Sequence, residues 1–164
     1  MDRSNHSARL LFSMIRNGKA PVLGSGENRR SMAYVDNLSQ GLMLAATVPE
    51  AQGNTYWIAD KQSYTWNEII ETIEALLNDE FNLPCNGGRL RLPVFTGAAA
   101  RIADSLIQRT GFYNQKIHVL GEVPLTIVCD ITKAKDELGY DPRVSLREGI
   151  RRSVRSALES DLKI

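Results

Sequence analysis

Two glycines one residue apart, Gly24 and Gly26, open the stretch GSGENRR after a short apolar run. Such spacing is typical of turns whose backbone N–H groups hold the phosphates of a dinucleotide, in the pattern G-x-G-x-x-G between a strand and a helix. The third glycine of that pattern permits close helix packing, and Arg29 stands in its place. The residues that follow favour a strand. The stretch therefore predicts a plain turn, with no cofactor-binding residue in it.

The turn brings two arginines to the start of the predicted strand. Side chains alternate along a strand, so Arg30 and Tyr34 face one side and Arg29 faces the other. A planar guanidinium fixed at a sheet edge suits bidentate binding of phosphate or carboxylate. A purely structural pair between Arg30 and a carboxylate accounts for the same residue equally well, and the sequence leaves both open.

The remaining chemically capable residues give weaker patterns. His6 and His118 have no nucleophile or orienting acid at a recognisable spacing, so no catalytic residue is predicted and His6 is interpreted as a tail histidine. Arg101 is a second candidate anion contact or a solvated side chain. Cys85 and Cys129 belong to no Cys-x-x-Cys or Cys/His cluster, which predicts reduced, partly buried thiols and no metal site.

Composition narrows the class of protein. The chain has 164 residues, of which 43% are hydrophobic, and this length predicts one domain with a substantial core. Its 20 Lys and Arg against 19 Asp and Glu give a net charge of +1, which argues against nucleic acid or an anionic membrane as a partner. The sequence contains no long apolar run and no signal-peptide pattern, so we expect a cytoplasmic location.

Periodicity predicts the elements that position the candidate residues in the first half of the chain. They are, in order, a helix over 8–17, a strand over 21–23, a turn over 24–28, a strand over 31–35 and a helix over 37–48. Asp36 is predicted to be the N-cap of that second helix. The apolar stretch 54–59 predicts a strand buried on both faces.

The second half is predicted to be mainly helical. Thr65 and Glu68 form a capping box at the start of a helix with one apolar stripe. The later elements begin with an irregular connection over 78–93, a helix over 98–107 and a strand over 124–128. They continue with a short helix capped by Asp130 and a final helix opened by Ser145 and Glu148. In that final helix, Leu158 is predicted to face inward and four arginines outward. The QKIHVLGE segment around His118 is predicted to be a loop. Together the elements predict a mixed α/β fold.

Four stretches, in order, resemble one protein family. They are G-x-G-x-x-R-x-x-x-x-Y-V-D-N-L over 24–38, GNTYWIAD over 53–60, YTWNE over 64–68, and DITKA with LGYDP over 130–142. The sequence resembles the C-terminal part of the extended short-chain dehydrogenases/reductases, the NAD-dependent epimerase/dehydratase family. The resemblance spans nearly the whole chain. It implies a partial Rossmann-type α/β fold of helices and short strands, with residues 1–164 forming a single C-terminal substrate-binding domain.

The resemblance also implies substrate-binding residues. Arg30 matches the arginine that sugar-nucleotide epimerases place on the substrate's diphosphate, and Asn28 lies in the loop beside it. Four further positions are implied to line or border the substrate pocket: Asn5, His6, Tyr34 and Asn37. Asp36 and Asn37 match a strand-to-helix joint that mainly holds the fold.

The family's cofactor is NAD or NADP, held by an N-terminal G-x-x-G-x-x-G turn and a Tyr-x-x-x-Lys pair. Neither motif occurs in this sequence, and Tyr113 with Lys116 has the wrong spacing. The resemblance therefore implies that the cofactor-binding half is absent from this chain, and it leaves open whether the chain alone is an enzyme.

Three functions compete at this point. The first is the substrate-binding portion of an NAD(P)-dependent nucleotide-sugar epimerase/dehydratase or related reductase, inactive without a catalytic half as partner. The second is a non-catalytic nucleotide-sugar binding or scaffold module, and the third is a remnant without a ligand. The apolar stretch 54–59 would lack sheet neighbours, so the chain is expected to need a covering partner or to form a homo-oligomer.

Overall fold

The computed structural model describes residues 4–122 and 124–159. In chain order the elements are α1 (Ser4–Arg16), β1 (Pro21–Leu23), β2 (Arg29–Ser31), α2 (Val35–Thr47), a 3-10 helix (Pro49–Ala51), β3 (Ser63–Thr65), α3 (Trp66–Asp79), β4 (Leu90–Leu92), α4 (Val94–Arg109), α5 (Gln115–Glu122), α6 (Thr132–Leu138) and α7 (Leu146–Glu159). The described residues form both helices and short strands, which confirms the prediction of a mixed α/β fold. None of the described helices is long and apolar enough to cross a bilayer.

The described residues group into two compact units. The first unit contains residues 4–28 and 65–126, and the second contains 29–64 and 127–159. The prediction of a single substrate-binding domain over residues 1–164 is not decided by this grouping and stays a prediction.

A parallel strand pair and two close glycines organise the start of the first unit. β1 and β4 pair in parallel, with Pro21 opposite Leu90 and Leu23 opposite Leu92. Gly18 ends α1 in the left-handed region at φ +68, as the sequence predicts. A Cβ on Gly88 would lie 2.9 Å from the Gly18 carbonyl oxygen, so the two backbones approach too closely for a side chain.

Helix α3 supplies the core of the first unit. The predicted capping box is present, because the Thr65 hydroxyl accepts from the Glu68 N–H and the Glu68 carboxylate accepts from the Thr65 N–H. The predicted apolar stripe is buried at Ile69, Ile70, Ile73, Leu76 and Leu77. Burying each such side chain contributes about 1.5–3 kcal/mol, so this stripe is a main source of the unit's stability.

The second unit is built around β2 and a small apolar core. β2 pairs with β3 and forms a parallel bridge between Arg30 and Ile127. Four buried residues form the core: Ala59, Ile131, Ala134 and Tyr140. The Tyr140 hydroxyl donates to the Ala59 carbonyl at 2.9 Å, which satisfies the one polar group that this ring brings into the core.

The structure corrects the predicted boundary between the second strand and its helix. The strand is Arg29–Ser31 rather than 31–35, because Val35 already begins α2 and Tyr34 is its N-cap. The prediction that Asp36 caps this helix is wrong. Asp36 lies in the first turn, where its carboxylate accepts from Arg152 at 2.8 Å.

The predicted strand over 54–59 is also wrong. The structure assigns it to no strand, and it is not buried on both faces, since Trp57 is 66% exposed while Ala59 is buried. The predicted strand over 124–128 is reduced to the single bridge at Ile127. Conversely, β4 lies in the stretch predicted as irregular and α5 in the segment predicted as a loop. Leu158 is 38% exposed rather than inward-facing.

Candidate functional site

The Asn67 side chain fills the glycine turn over 24–28. Gly24 and Gly26 adopt φ +66 and +78, and the chain continues into β2. A Cβ on Gly26 would lie 2.2 Å from the Asn67 Oδ1, while the Asn67 Nδ2 donates to the Ser25 carbonyl at 2.9 Å and to Glu27 at 2.8 Å. The turn therefore binds the first turn of α3, and its residues do not fit the phosphates of NAD or NADP.

Asn28 ends this turn in the first unit. It is half-buried, its carbonyl accepts from the Trp66 N–H at 3.0 Å, and its side-chain Nδ2 lies 3.5 Å from the Leu125 carbonyl. The side-chain contact is long for a hydrogen bond. The backbone of Asn28 is thus bonded to the start of α3.

The two neighbouring arginines have different surroundings in the second unit. Arg29 is exposed, and its guanidinium donates to the Ser63 hydroxyl at 2.9 Å and to the Ser63 carbonyl. Arg30 is half-buried, and its Nε atom is shielded from solvent. Its backbone is fixed because Ile127 bonds to both neighbours, donating to the Arg29 carbonyl at 2.8 Å and accepting from the Ser31 N–H at 2.9 Å. The predicted difference between Arg29 and Arg30 is therefore present.

Asn37 is the centre of a buried hydrogen-bond network. Its side chain is 2% exposed, and the Nδ2 donates to the Asp60 Oδ1 and to the Val144 carbonyl, each at 2.8 Å. Its Oδ1 accepts from the N–H groups of Arg143 at 3.1 Å and Val144 at 3.0 Å. An amide offers two donors and two acceptor positions. All four are used, so Asn37 joins the start of α2 to two distant segments of the unit.

Tyr34 and Asp60 line a small cavity of about 140 Å³. The Tyr34 N–H donates to the Asp60 Oδ1 at 3.3 Å, and its ring packs on α7, where a Cβ on Gly149 would come within 2.9 Å of the ring. The Arg152 guanidinium lies 5.7 Å from the centre of that ring. Tyr34 is therefore fixed both by its backbone and by its ring.

Burial raises the pKa of Asp60, and the hydrogen bonds from Asn37 and from the Tyr34 backbone oppose that rise. The carboxyl group is 4% exposed. A buried carboxyl with a raised pKa beside a cavity is a common property of binding and active sites. Our sequence analysis did not single out Asp60; the available signal was its position directly after the apolar stretch 54–59.

The structure brings together some of the predicted residues and not others. Tyr34 and Asn37 share the Asp60 carboxylate, and Arg30 lies on β2 in the same unit. Asn28 belongs to the other unit. Asn5 and His6 fall within α1, but their side chains lie outside the described residues.

The chain was compared with protein families, with curated proteins and with solved structures. No protein-family profile matches the chain. It is 51% identical over 145 residues to the uncharacterized protein y4nL of Sinorhizobium fredii, a match that covers 88% of this chain and 41% of that protein. It is 26% identical over 161 residues to the 3beta-hydroxysteroid-dehydrogenase/decarboxylase isoform 1 of Arabidopsis thaliana, covering 89% of this chain and 35% of that protein.

Among solved structures, the chain superposes on a UDP-glucuronic acid 4-epimerase from Bacillus cereus, determined with UDP-glucuronic acid and NAD. The TM-score is 0.60 at 18% identity, and the match covers 97% of this chain and 40% of the epimerase. The chain therefore has the α/β fold of part of a Rossmann-type epimerase. It spans about two fifths of the length of y4nL and of this epimerase.

Proposed function

We propose that this chain is the substrate-binding portion of an NAD(P)-dependent nucleotide-sugar epimerase/dehydratase or a related reductase. The observation that carries the proposal is the setting of Arg30. Its strand is held on one side by β3 and on the other by Ile127, and its Nε is buried. A guanidinium fixed in this way loses little conformational entropy when it binds the two oxygens of a diphosphate.

The other predicted residues take different roles in this proposal. Tyr34 borders the site from a fixed position beside Asp60. Asn37 acts as a positioning residue, because its amide has no hydrogen-bonding capacity left for a ligand. Asn28, Asn5 and His6 remain predicted substrate contacts on the basis of the family resemblance.

A test of the Arg30 assignment uses the neighbouring arginine as a matched control. Titration of the full chain with UDP-glucose should show binding that Arg30→Gln weakens by about tenfold or more, the loss expected for a charge-assisted hydrogen bond. Arg29→Gln, which removes an arginine bonded to Ser63, should leave the affinity within about twofold. Equal affinity of wild type and Arg30→Gln would exclude Arg30 from the site.

The same titration with NAD separates the two halves of the family's chemistry. The chain carries neither cofactor motif, and the glycine turn is filled by Asn67. We therefore expect UDP-glucose to bind without NAD. Tight NAD binding to the chain alone would contradict the proposal that the cofactor is bound elsewhere. No binding of either compound would contradict the substrate-binding function.

An exposed apolar surface supports a partner that supplies the catalytic half. One side of α2, here called the α2 face, exposes Val35 at 58%, Leu38 at 41% and Leu42 at 62%. The segment 54–59 runs beside this helix, since a Cβ on Gly41 would come within 2.8 Å of Ile58, and it exposes Trp57 at 66%. Contiguous apolar exposure of this kind marks interaction surfaces.

We assign this surface to the cofactor-binding half because the matched relative extends well beyond the region of similarity. Within the described residues, no backbone partner pairs with 55–58, so the segment also offers an open edge to a strand. The partner on this proposal is a body that contributes both a strand and an apolar helix surface. A homo-oligomer through the same surface is the alternative outcome.

The test co-expresses this chain with the part of y4nL that lies outside the matched region. We expect the two to copurify, and we expect Leu42→Glu to abolish the complex, because it buries an unpaired charge. Leu106→Glu alters an exposed leucine of the first unit and serves as the control. If instead the chain alone sediments as an oligomer that Leu42→Glu dissociates, the partner is a second copy.

A further inference from the structure

The first unit carries an open cleft on α4 that the proposed function does not use. The cleft has a volume of about 410 Å³ and is lined by five side chains of this one helix: Arg101, Asp104, Ser105, Gln108 and Arg109. Four of them are exposed and Asp104 forms the buried floor. We call this site the α4 cleft.

Two arginines without a described partner flank the cleft. Arg101 and Arg109 are eight residues apart, so their Cα atoms are separated by about 12 Å along the helix axis, and Ser105 lies midway. Within residues 4–122 and 124–159, neither guanidinium forms a hydrogen bond or an ion pair. Both side chains are long enough to converge above Ser105, where their two charges would meet one ligand.

The position of Arg101 is fixed by the neighbouring helix. Gly121 on α5 packs against it so closely that a Cβ there would lie 2.7 Å from the Arg101 Cγ. The stem of the side chain is therefore held against α5 and only its outer part is free to move. This restriction lowers the entropy that the guanidinium loses on binding.

The floor of the cleft offers an unused acceptor. The Oδ2 atom of Asp104 accepts from Gln108 at 2.7 Å and contacts the His118 Nδ1 at 2.8 Å. Its Oδ1 atom is shielded from solvent and has no hydrogen-bond partner among the described residues, although Asp104 is only 7% exposed. A buried acceptor without a partner costs free energy, and a ligand O–H or N–H that displaces the side chains shielding it would satisfy it.

We propose that the α4 cleft binds a phosphate monoester whose organic part carries a hydroxyl group. The two guanidiniums match the charge of about −2 on the phosphate, and each can bond two of its oxygens. The hydroxyl group donates to the Asp104 Oδ1, and Ser105 contributes a further hydroxyl between the two arginines. A neutral ligand would leave both arginines unused, and inorganic phosphate has only its own P–OH to offer the Asp104 oxygen, without a carbon frame that carries a hydroxyl there separately from the phosphate.

Calorimetric titration of the full chain at low ionic strength tests the proposal, with glucose 6-phosphate, inorganic phosphate and glucose as probes. We expect glucose 6-phosphate to bind more tightly than the other two. Arg101→Gln and Arg109→Gln should each weaken it by about tenfold or more. Arg91→Gln removes an exposed arginine of the same unit outside the cleft and should change the affinity by less than about twofold.

Three further measurements locate the binding site and test its parts. Backbone amide shifts should move at 101–109 during the titration, and a Gly121→Ala variant should weaken binding by displacing Arg101. Asp104→Ala, which removes the acceptor, should lower the preference for glucose 6-phosphate over inorganic phosphate. The proposal is overturned if glucose 6-phosphate does not bind, if Arg91→Gln weakens it as much as the cleft variants, or if the amide shifts lie elsewhere.

Discussion

Asp60 in the second unit and Asp104 in the first are both buried, at 4% and 7% exposure, yet their charge states are controlled in opposite ways. Asp60 is bonded to an amide and a backbone N–H, and burial raises its pKa. Asp104 is bonded to His118, which lowers its pKa, with a smaller contribution from Gln108 and against the opposing effect of burial. Burial raises the pKa of both carboxyl groups, and the hydrogen bond from His118 outweighs that effect at Asp104, whereas the bonds to Asp60 do not.

The two centres also differ in what they join. The Asp60 centre links the start of α2 to the chain at 60 and at 143–144 through the Asn37 amide. The Asp104 centre links only α4 to α5, through His118. Losing the first centre should therefore affect the whole of its unit, and losing the second should affect one helix contact.

Asn37→Ala should destabilise the second unit by about 3 kcal/mol, since it removes four hydrogen bonds and leaves buried polar groups unpaired. Urea denaturation followed by circular dichroism measures the change. Asn54→Ala in the same unit removes an exposed amide bonded to the Glu50 carbonyl and should cost at most about 0.5 kcal/mol. Similar losses in the two variants would show that the Asn37 network stabilises the unit no more than one exposed hydrogen bond does.

Gly149→Ala should destabilise the same unit by about 1–3 kcal/mol, because the new methyl group meets the Tyr34 ring and forces it to move. The same denaturation assay applies. In a protein that already carries Tyr34→Ala, adding Gly149→Ala should cost much less stability than it costs the wild type, since the clash is then absent. An additive double variant would mean that the ring does not limit this position.

Asp60→Asn should make the protein more stable at neutral pH, because the amide keeps an acceptor for Asn37 and Tyr34 but carries no buried charge. The folded-state pKa of Asp60 is raised, so the advantage of the neutral acid is fully present below the unfolded value of about 3.9 and is lost as pH rises through the folded value. The stability difference between variant and wild type should therefore shrink towards pH 4. Wild type gaining on the variant as pH rises would contradict this.

His118→Gln should remove a pH dependence of stability that arises from a charged partner, whereas that of Asp60 arises from burial. Asp104 and Glu122 both face this imidazole and, with the hydrogen bond from Asp104 as the largest effect, raise the pKa of His118. The stabilisation by protonated His118 is fully present below its unfolded-state pKa of about 6.5 and is lost as pH rises through its folded-state pKa. Thermal unfolding should show wild type more stable than the variant at pH 5.5, and the two should converge as pH rises through the folded-state pKa. A constant difference across this range would exclude titration of His118 as the cause.

The elements that could be predicted from the sequence are those whose determinants are local. The α3 capping box needs only Thr65 and Glu68 three residues apart, and the stop at Gly18 needs only a residue that tolerates positive φ. The prediction of a turn at Gly24 and Gly26 also depended on nearby residues alone. The structure then supplied Asn67 as the group that fills the turn.

The features that could not be predicted depend on distant partners. The stretch 54–59 has the composition of a buried strand, but a strand exists only when a neighbour supplies hydrogen bonds, and composition does not supply one. Asp60 gains its role from Asn37 and Tyr34, more than twenty residues earlier in the chain. His118 has no recognisable partner in sequence, because Asp104 approaches it only when α4 and α5 pack together.

The contrast between the two tryptophans has a practical consequence for spectroscopy. Trp66 is half-buried in the first unit, where its indole N–H donates to the Pro21 carbonyl at 2.8 Å, whereas Trp57 is 66% exposed in the second. These are the only two indoles in the 164 residues, so each unit carries one tryptophan that can be excited selectively at the red edge of its absorption. Iodide in the solvent should quench Trp57 far more than Trp66. The emission of the unlabelled protein therefore contains separate readouts of its two units.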